Sequence, residues 1–138
     1  MKSITDIPFV SHIGIRSEKD RLLLELKPDL SNHLDTLHAG AIYTLAESES
    51  GRYLLEHYAN KLDEDIIPLL RSSLMRYKKP IYTTATAKAN VLSEDINSFE
   101  KSFAKKGRGS IKVFVEIFDE VSDLCAVGEF VWYVQLSH

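Results

Sequence analysis

The residues that decide the fold are 31–47, which read Ser31-Asn32-His33-Leu34-Asp35-Thr36-Leu37-His38-Ala39-Gly40-Ala41-Ile42-Tyr43-Thr44-Leu45-Ala46-Glu47. Polar, turn-forming residues give way at Ala39 to good helix formers, which predicts that a helix begins there. The first turn of a helix leaves amide N–H groups without intrahelical partners and carries partial positive charge. Small side chains at Ala39 and Gly40 let a ligand approach that backbone closely. About two turns further on, Glu47 places a carboxylate in an otherwise apolar helix.

Length and composition set the class of protein. The chain has 138 residues, enough for one domain with one core, and we expect residues 1–138 to form a single domain. Its 44% hydrophobic and 27% charged residues are typical of a soluble globular protein. The formal net charge of −3 gives no electrostatic reason to expect nucleic acid or an anionic membrane as a partner.

Cysteine and histidine usage bears on cofactors and compartment. The single cysteine, Cys125, has no partner for an intramolecular disulfide, and its apolar neighbours predict that it is buried. The histidines show no metal-ligand spacing. No apolar run reaches the ~18–20 residues of a membrane span, and residues 1–6 lack the apolar core of a signal peptide. We therefore expect a cytoplasmic protein that uses neither a metal nor a bound cofactor.

The apolar pattern before residue 31 predicts small elements. Thr5 or Asp6 could cap a short helix over 8–12. Residues 13–27 have a strand-like pattern with a polar break at 17–20, which is interpreted as a hairpin turn or bulge, and Leu22, Leu24 and Leu26 would share one face. The helix that begins at Ala39 is predicted to extend to Tyr58, and it is apolar nearly all round, which predicts that it is wrapped by something else.

After that helix the pattern changes to alternation. Asn60 and residues 63–65 predict a loop, and a period of two then predicts strands over Ile66–Tyr77, 82–92, 110–119 and Leu124–Leu136. Ser93–Lys106 is interpreted as a polar connection holding at most a short helix around 96–103. The alanine-rich face of 82–92 predicts close packing against the long helix. This order predicts an α+β fold with one curved antiparallel sheet wrapped around the helix, and its exposed edges predict at least a dimer.

The motif within these elements is similar to a known family. Asn32-x5-His38-Ala39-Gly40-x6-Glu47 resembles the hot-dog-fold acyl-CoA thioesterases, particularly the PaaI-like group, in which Asn or Gln, a loop and His-Gly-Gly precede an Asp or Glu. The spacing agrees, with Ala39 at the first glycine position and Glu47 in place of the commoner Asp. The resemblance implies the hot-dog fold over nearly the whole chain and hydrolysis of an acyl-CoA or related thioester.

The same resemblance implies roles for the motif residues. The amide of Ala39 or Gly40 would be the oxyanion-hole donor, Glu47 the general base or nucleophile, and Asn32 would orient water or hold the thioester. Simpler interpretations stand beside these. Glu47 could be an ordinary carboxylate on an exposed stripe, and Asn32 could only turn the loop. His38 is interpreted as a residue that fixes the loop, with a catalytic role as the alternative.

Further residues would contact the substrate. A serine or threonine on the strand after the helix often assists in the family, and Ser72 and Ser73 are both candidates. Coenzyme A carries phosphates, which Lys78, Lys79 and Arg108 could receive at the rim of the site.

Helix geometry adds a constraint on assembly. Eight residues separate Ala39 from Glu47, about 12 Å along the axis. A glutamate cannot easily reach back that far, so the acid of one site should come from a neighbouring subunit, in a homodimer that could pair further. Two other functions remain open: a non-catalytic acyl-CoA-binding sensor or scaffold, and an acyl-thioester dehydratase using His38 with the partner's Glu47.

Overall fold

The computed structural model describes residues 3–58 and 66–137, so the loop predicted at Asn60 and 63–65 lies outside the described residues. Three helices have the bounds α1 Pro8–Ile13, α2 Ala39–Tyr58 and α3 Ser93–Lys106. Six strands have the bounds β1 Arg16–Glu18, β2 Arg21–Glu25, β3 Ile66–Tyr77, β4 Thr84–Asn90, β5 Arg108–Phe118 and β6 Leu124–Leu136. Single 3-10 turns at Ile4–Asp6 and Pro28–Leu30 precede α1 and the loop into α2.

The six strands form one antiparallel sheet in the order β1-β2-β4-β5-β6-β3. The long helix α2 packs against β2, β3, β4, β5 and β6. This is the predicted α+β arrangement of one curved sheet wrapped around one helix, and the bounds of α2, β3 and β6 are those expected from the sequence.

Strict alternation along the strands gives the sheet one face toward α2. The predicted inward residues of β5 and β6 are all buried: Ile111, Val113, Val115, Ile117, Ala126, Gly128, Phe130, Trp132 and Val134. On β4, Ala85 and Ala87 are fully buried against the helix, which confirms the close approach that small side chains predict. Cys125 is buried as expected, and this burial raises the pKa of its thiol to about 11.

Polar contacts fix the rotation of α2 about its own axis. Glu49 is only 1% exposed, accepts two hydrogen bonds from Arg52 at 2.6 and 2.8 Å, and accepts a third from the Ala89 amide of β4 at 3.0 Å. Another helix residue, Ser50, accepts a hydrogen bond at 2.9 Å from Trp132 Nε1 of β6. These contacts hold two sides of α2 against β4 and β6, and they therefore fix the direction in which the side of the helix that carries Glu47 faces.

The structure differs from the sequence prediction in three elements. Ser93–Lys106 is helical throughout, because Phe99 and Phe103 bury one face against the sheet and Gly107, with φ of 71°, ends the helix. Residues 13–27 hold β1 and β2 joined by a turn at 19–20, which confirms the hairpin turn predicted within 17–20, while the strands are shorter than expected and residue 13 belongs to α1. Thr5 and Asp6 lie inside a 3-10 turn and cap nothing, since the residue before α1 is Ile7.

The sheet ends in β3, a twelve-residue strand paired only with β6 among the described residues. Large apolar side chains on it are exposed, namely Ile67, Leu69, Leu74 and Tyr77. Within 3–58 and 66–137, no helix is long and apolar enough to cross a membrane.

Candidate active site

The loop that leads into α2 is held closed by one side chain. Asn32 Oδ1 accepts hydrogen bonds from the amides of Leu34 at 2.9 Å and Thr36 at 3.0 Å, while its Nδ2 donates to Thr36 Oγ1 at 2.8 Å. The Asn32 amide also donates to the carbonyl of Thr36 at 2.9 Å. These contacts are those of a loop-turning residue, and they leave one Nδ2 proton uncommitted.

His38 caps the start of α2. Its Nδ1 accepts a hydrogen bond from the Gly40 amide at 2.8 Å, and its carbonyl accepts from the amides of Ala41 and Ile42 at 2.9 and 3.0 Å. A neutral imidazole whose Nδ1 accepts carries its proton on Nε2, so His38 here is a donor and not a base. A side chain at position 40 would place its Cβ 3.1 Å from His38 Nδ1, which explains the glycine.

This capping contact distinguishes the two candidate oxyanion donors. The Gly40 N–H is already committed to His38. In the described part of the chain, the Ala39 N–H has no hydrogen-bond acceptor, and the residue is exposed at the helix end. The free amide at the positive end of α2 is therefore that of Ala39.

A groove of about 270 Å³ lies beside this amide. Its lining includes four predicted site residues, namely Asn32, Ala39, Lys78 and Lys79. Ile42 and Tyr77, which are not predicted site residues, line it as well. Both lysines follow the end of β3 and are exposed. The groove thus combines a free helix-terminal amide, an amide side chain and two cations.

Glu47 lies two helical turns beyond the groove. It is half-buried, and no hydrogen bond or ion pair engages its carboxylate in residues 3–58 and 66–137. Burial raises the pKa of the carboxyl because the charged form loses hydration without gaining a cation. By contrast Glu49, two residues further along α2, is buried and paired with Arg52.

The two serines of β3 lie on opposite faces of the sheet. A register shift between Leu70 and Ser72 leaves Ser72 opposite Val131 and Ser73 opposite the fully buried Phe130. Ser73 accordingly faces α2, where its Oγ lies 2.9 Å from the hydroxyl of Tyr43. Of the two candidates, Ser73 is the one on the α2 side.

Arg108 is far from the groove within one protomer. It pairs with Gln135 at one end of β6, whereas Tyr77, next to Lys78, pairs with Ala126 at the other. Nine strand residues at ~3.3 Å each separate the two ends by about 30 Å. The structure does not bring Arg108 together with the other predicted residues of the same chain.

Two tyrosines of the site are not among the sequence predictions. Tyr43 lies one turn before Glu47 on α2, and Tyr77 donates its hydroxyl to the Ala39 carbonyl at 3.3 Å. Burial raises the pKa of Tyr77. Spacing could have found both residues, because Ala39, Tyr43 and Glu47 recur every four residues and Ser73 and Tyr77 share a strand face.

A larger groove, of about 510 Å³, lies elsewhere. It follows the face of the sheet opposite α2, and its lining includes Leu74, Arg76, Phe114, Glu116 and Glu129. Of the predicted site residues it contains only Lys78, so its size does not make it the candidate site.

The fold is shared with many solved structures. PA5026 from Pseudomonas aeruginosa, named a protein of unknown function and probable thioesterase, is 22% identical over 96% of this chain and 91% of its own, with a TM-score of 0.80. Thioesterase HI1161 from Haemophilus influenzae is 19% identical over 96% and 86%, with a TM-score of 0.72. BH2602 from Bacillus halodurans, solved with CoA, is 20% identical over 91% and 74%, with a TM-score of 0.70. These likenesses define the class as the hot-dog fold.

The family follows from a match of nearly the whole chain. Residues 4–134 match the model of the family YiiD_C, described as "Putative thioesterase (yiiD_Cterm)", and the chain belongs to that family. A search of curated protein sequences finds no match to this chain. The resemblance to hot-dog-fold thioesterases is confirmed at this level, and the PaaI-like grouping stays a prediction.

Proposed function

We propose that the protein hydrolyses an acyl-CoA or a related thioester at a site shared by two protomers. The observation that carries this proposal is the Ala39 N–H, which has no acceptor within the described residues and belongs to an exposed residue that lines a groove with two lysines. Membership of a thioesterase family and the CoA bound to the Bacillus halodurans neighbour support the substrate class.

In the proposed reaction, the Ala39 N–H and Glu47 have different roles. The thioester oxygen accepts a hydrogen bond from the Ala39 N–H, and the dipole of α2 stabilises the charge that develops there. Glu47 either takes a proton from the attacking water and passes it to the thiolate as the C–S bond breaks, or attacks the carbonyl carbon itself, which expels the thiolate and leaves an anhydride that water then hydrolyses to free acid and Glu47. A carboxylate that no cation pairs with among the described residues, and whose pKa burial raises, is a stronger base than an exposed glutamate.

The remaining groups hold the substrate. The free Nδ2 proton of Asn32 can donate to the thioester or to water, and Lys78 and Lys79 can receive phosphates of the CoA part. Arg108 could take part only from another subunit, because it lies about 30 Å along the sheet in its own chain. The strand β3, which pairs with β6 alone in the described part of the chain and exposes large apolar side chains, supports a homodimer, which could pair further.

Hydrolysis is tested by following free thiol with DTNB across a panel of acyl-CoAs, with wild type and Glu47→Ala. We expect turnover of at least one acyl-CoA by the wild type and its loss in the variant. Tight binding of acyl-CoA without turnover would instead support a sensor. Hydration of crotonyl-CoA would support a dehydratase, although the His38 capping contact does not favour a histidine base. The cytoplasmic compartment and the lack of a metal or bound cofactor stay predictions.

A further inference from the structure

We propose that Tyr43 is a positioning residue of this site, which acts by holding the hydroxyl of Ser73 toward the bound thioester. The inference rests on the proposed function and adds to it a residue at a position that the thioesterase motif leaves unspecified. Its starting observation is the 2.9 Å contact between the Tyr43 hydroxyl and Ser73 Oγ, which joins α2 to β3.

The two partners differ in how firmly they are held. The ring of Tyr43 is half-buried and packs against the fully buried Phe130, with ring centroids 5.6 Å apart. Ser73 is exposed, and in the described part of the chain the Tyr43 hydroxyl is its side-chain hydrogen-bond partner. A serine that packing does not restrain can take three rotamers. A rigid aromatic residue therefore fixes a short side chain that is otherwise free to rotate.

The direction of the hydrogen bond follows from the chemistry of the two hydroxyls. A phenol is a better donor than an aliphatic alcohol, since its pKa is about 10. With Tyr43 donating, Ser73 accepts and keeps its own proton available for a third group. Chains of hydroxyl groups strengthen one another in this arrangement. Ser73 can then donate to the thioester or to the attacking water.

The position of the pair fits that task. Tyr43 lies midway between Ala39 and Glu47, about 6 Å along α2 from each and on the same side of the helix. Within one chain the pair is therefore one helical turn from Ala39 and one from Glu47, and in two antiparallel α2 helices that set Ala39 of one against the acid of the other it keeps these distances along the axis. Tyr77 reinforces the arrangement, because its hydroxyl contacts the Ala39 carbonyl from the same face of β3 as Ser73.

The test is a double-mutant cycle on kcat and KM, with the acyl-CoA that the wild type hydrolyses fastest. Tyr43→Phe removes only the hydroxyl and keeps the ring on Phe130. We expect it to lower kcat about fivefold, the effect of one neutral hydrogen bond, with KM and Tm unchanged. In a Ser73→Ala background, where kcat is already reduced, Tyr43→Phe should cost nothing more. Ser73→Thr, which keeps a hydroxyl, should retain most of the rate.

Matched controls lie on the other face of the sheet. Ser72→Ala and Tyr133→Phe remove the same groups from residues that point away from α2, and both should leave kcat unchanged. Independent, multiplying losses in Tyr43→Phe and Ser73→Ala would overturn the proposal, and so would a Ser73→Ala variant as active as Ser72→Ala. Where Tyr43→Phe fails to fold, the serine comparison can still overturn the proposal, because a Ser73 hydroxyl without effect on kcat leaves Tyr43 nothing to position. A Glu47→Ala variant with wild-type turnover would instead overturn the proposed function itself.

Discussion

Glu47 is a carboxylate that folding takes partly out of water without giving it a cation within the described residues. Its pKa is raised by that burial, so the folded protein binds the Glu47 proton more tightly than the unfolded chain does. Burial of Glu47 therefore costs stability once the carboxylate ionises, and stability falls as pH rises through the raised pKa. A group that serves only to stabilise the fold would show the opposite sign.

Replacement of this charge should stabilise the protein in a pH-dependent way. We expect Glu47→Gln to have a higher Tm than wild type at pH 8, while the two proteins converge at about pH 3, below the pKa of about 4.3 that a glutamate has in an unfolded chain. Thermal unfolding at fixed protein concentration checks this, with Glu120→Gln in the exposed β5–β6 turn as control. A Tm difference that grows on acidification would contradict the account.

The Ala39 amide can be deleted without removing a helical hydrogen bond. Ala39 is the first residue of α2, a position where proline is tolerated because the N–H has no intrahelical acceptor. We expect Ala39→Pro to fold with near-native Tm and to lower kcat about 10²–10³-fold, the usual loss for one oxyanion donor. Ala39→Gly keeps the N–H and should remain active. A fully active, folded Ala39→Pro variant would exclude the amide as the oxyanion donor.

At the scale of elements, α2 depends on the buried carboxylate of Glu49. Glu49→Gln leaves Arg52 with a weaker partner and disturbs the contact to β4, which should lower the free energy of unfolding by about 2–4 kcal/mol. Glu56, which also pairs with Arg52 but is exposed, is the matched control, and Glu56→Gln should cost less than about 1 kcal/mol. Urea unfolding of both variants measures the difference, and equal losses would refute this role.

The elements that the sequence predicts correctly are those with a strong period and clear ends. Buried alternating strands such as β6, and an apolar helix such as α2, carry their pattern in every residue. The helix α3 is underestimated because only Phe99 and Phe103 mark its buried face, and the preceding Leu92 gives no capping signal. The hydrophobic pattern therefore predicts these buried elements, but it predicts too short a helix for α3, which lies on the surface.

The site is less predictable because its details are contacts between elements. Spacing places Asn32, Ala39 and Glu47 in one motif, but it does not show that His38 occupies the Gly40 amide. It also leaves Ser72 and Ser73 equivalent, since the register shift that separates them arises from pairing with β6. The cap depends on the rotamer of His38 and the bulge on strand pairing, and neither can be read from spacing.

For the whole molecule, the proposed assembly is tied to the chemistry through the length of α2. Within one chain Ala39 and Glu47 are about 12 Å apart along the helix axis. Two copies with antiparallel α2 helices would place the acid of each against the amide of the other, and the exposed edge of β3 offers the surface for such pairing. Subunit mixing can test this directly.

Mixed dimers of two inactive variants should recover activity. In a dimer of one Ala39→Pro chain and one Glu47→Ala chain, a shared site can combine the intact amide of one with the intact acid of the other, so one of two sites should work. Differently tagged chains, purified as the mixed species, allow kcat to be measured per dimer. The reciprocal control pairs wild type with the Ala39→Pro/Glu47→Ala double variant, which leaves one defect in each shared site and should be inactive. Activity in that control, with none in the mixed single variants, would place both groups of a site in one chain and refute the shared site.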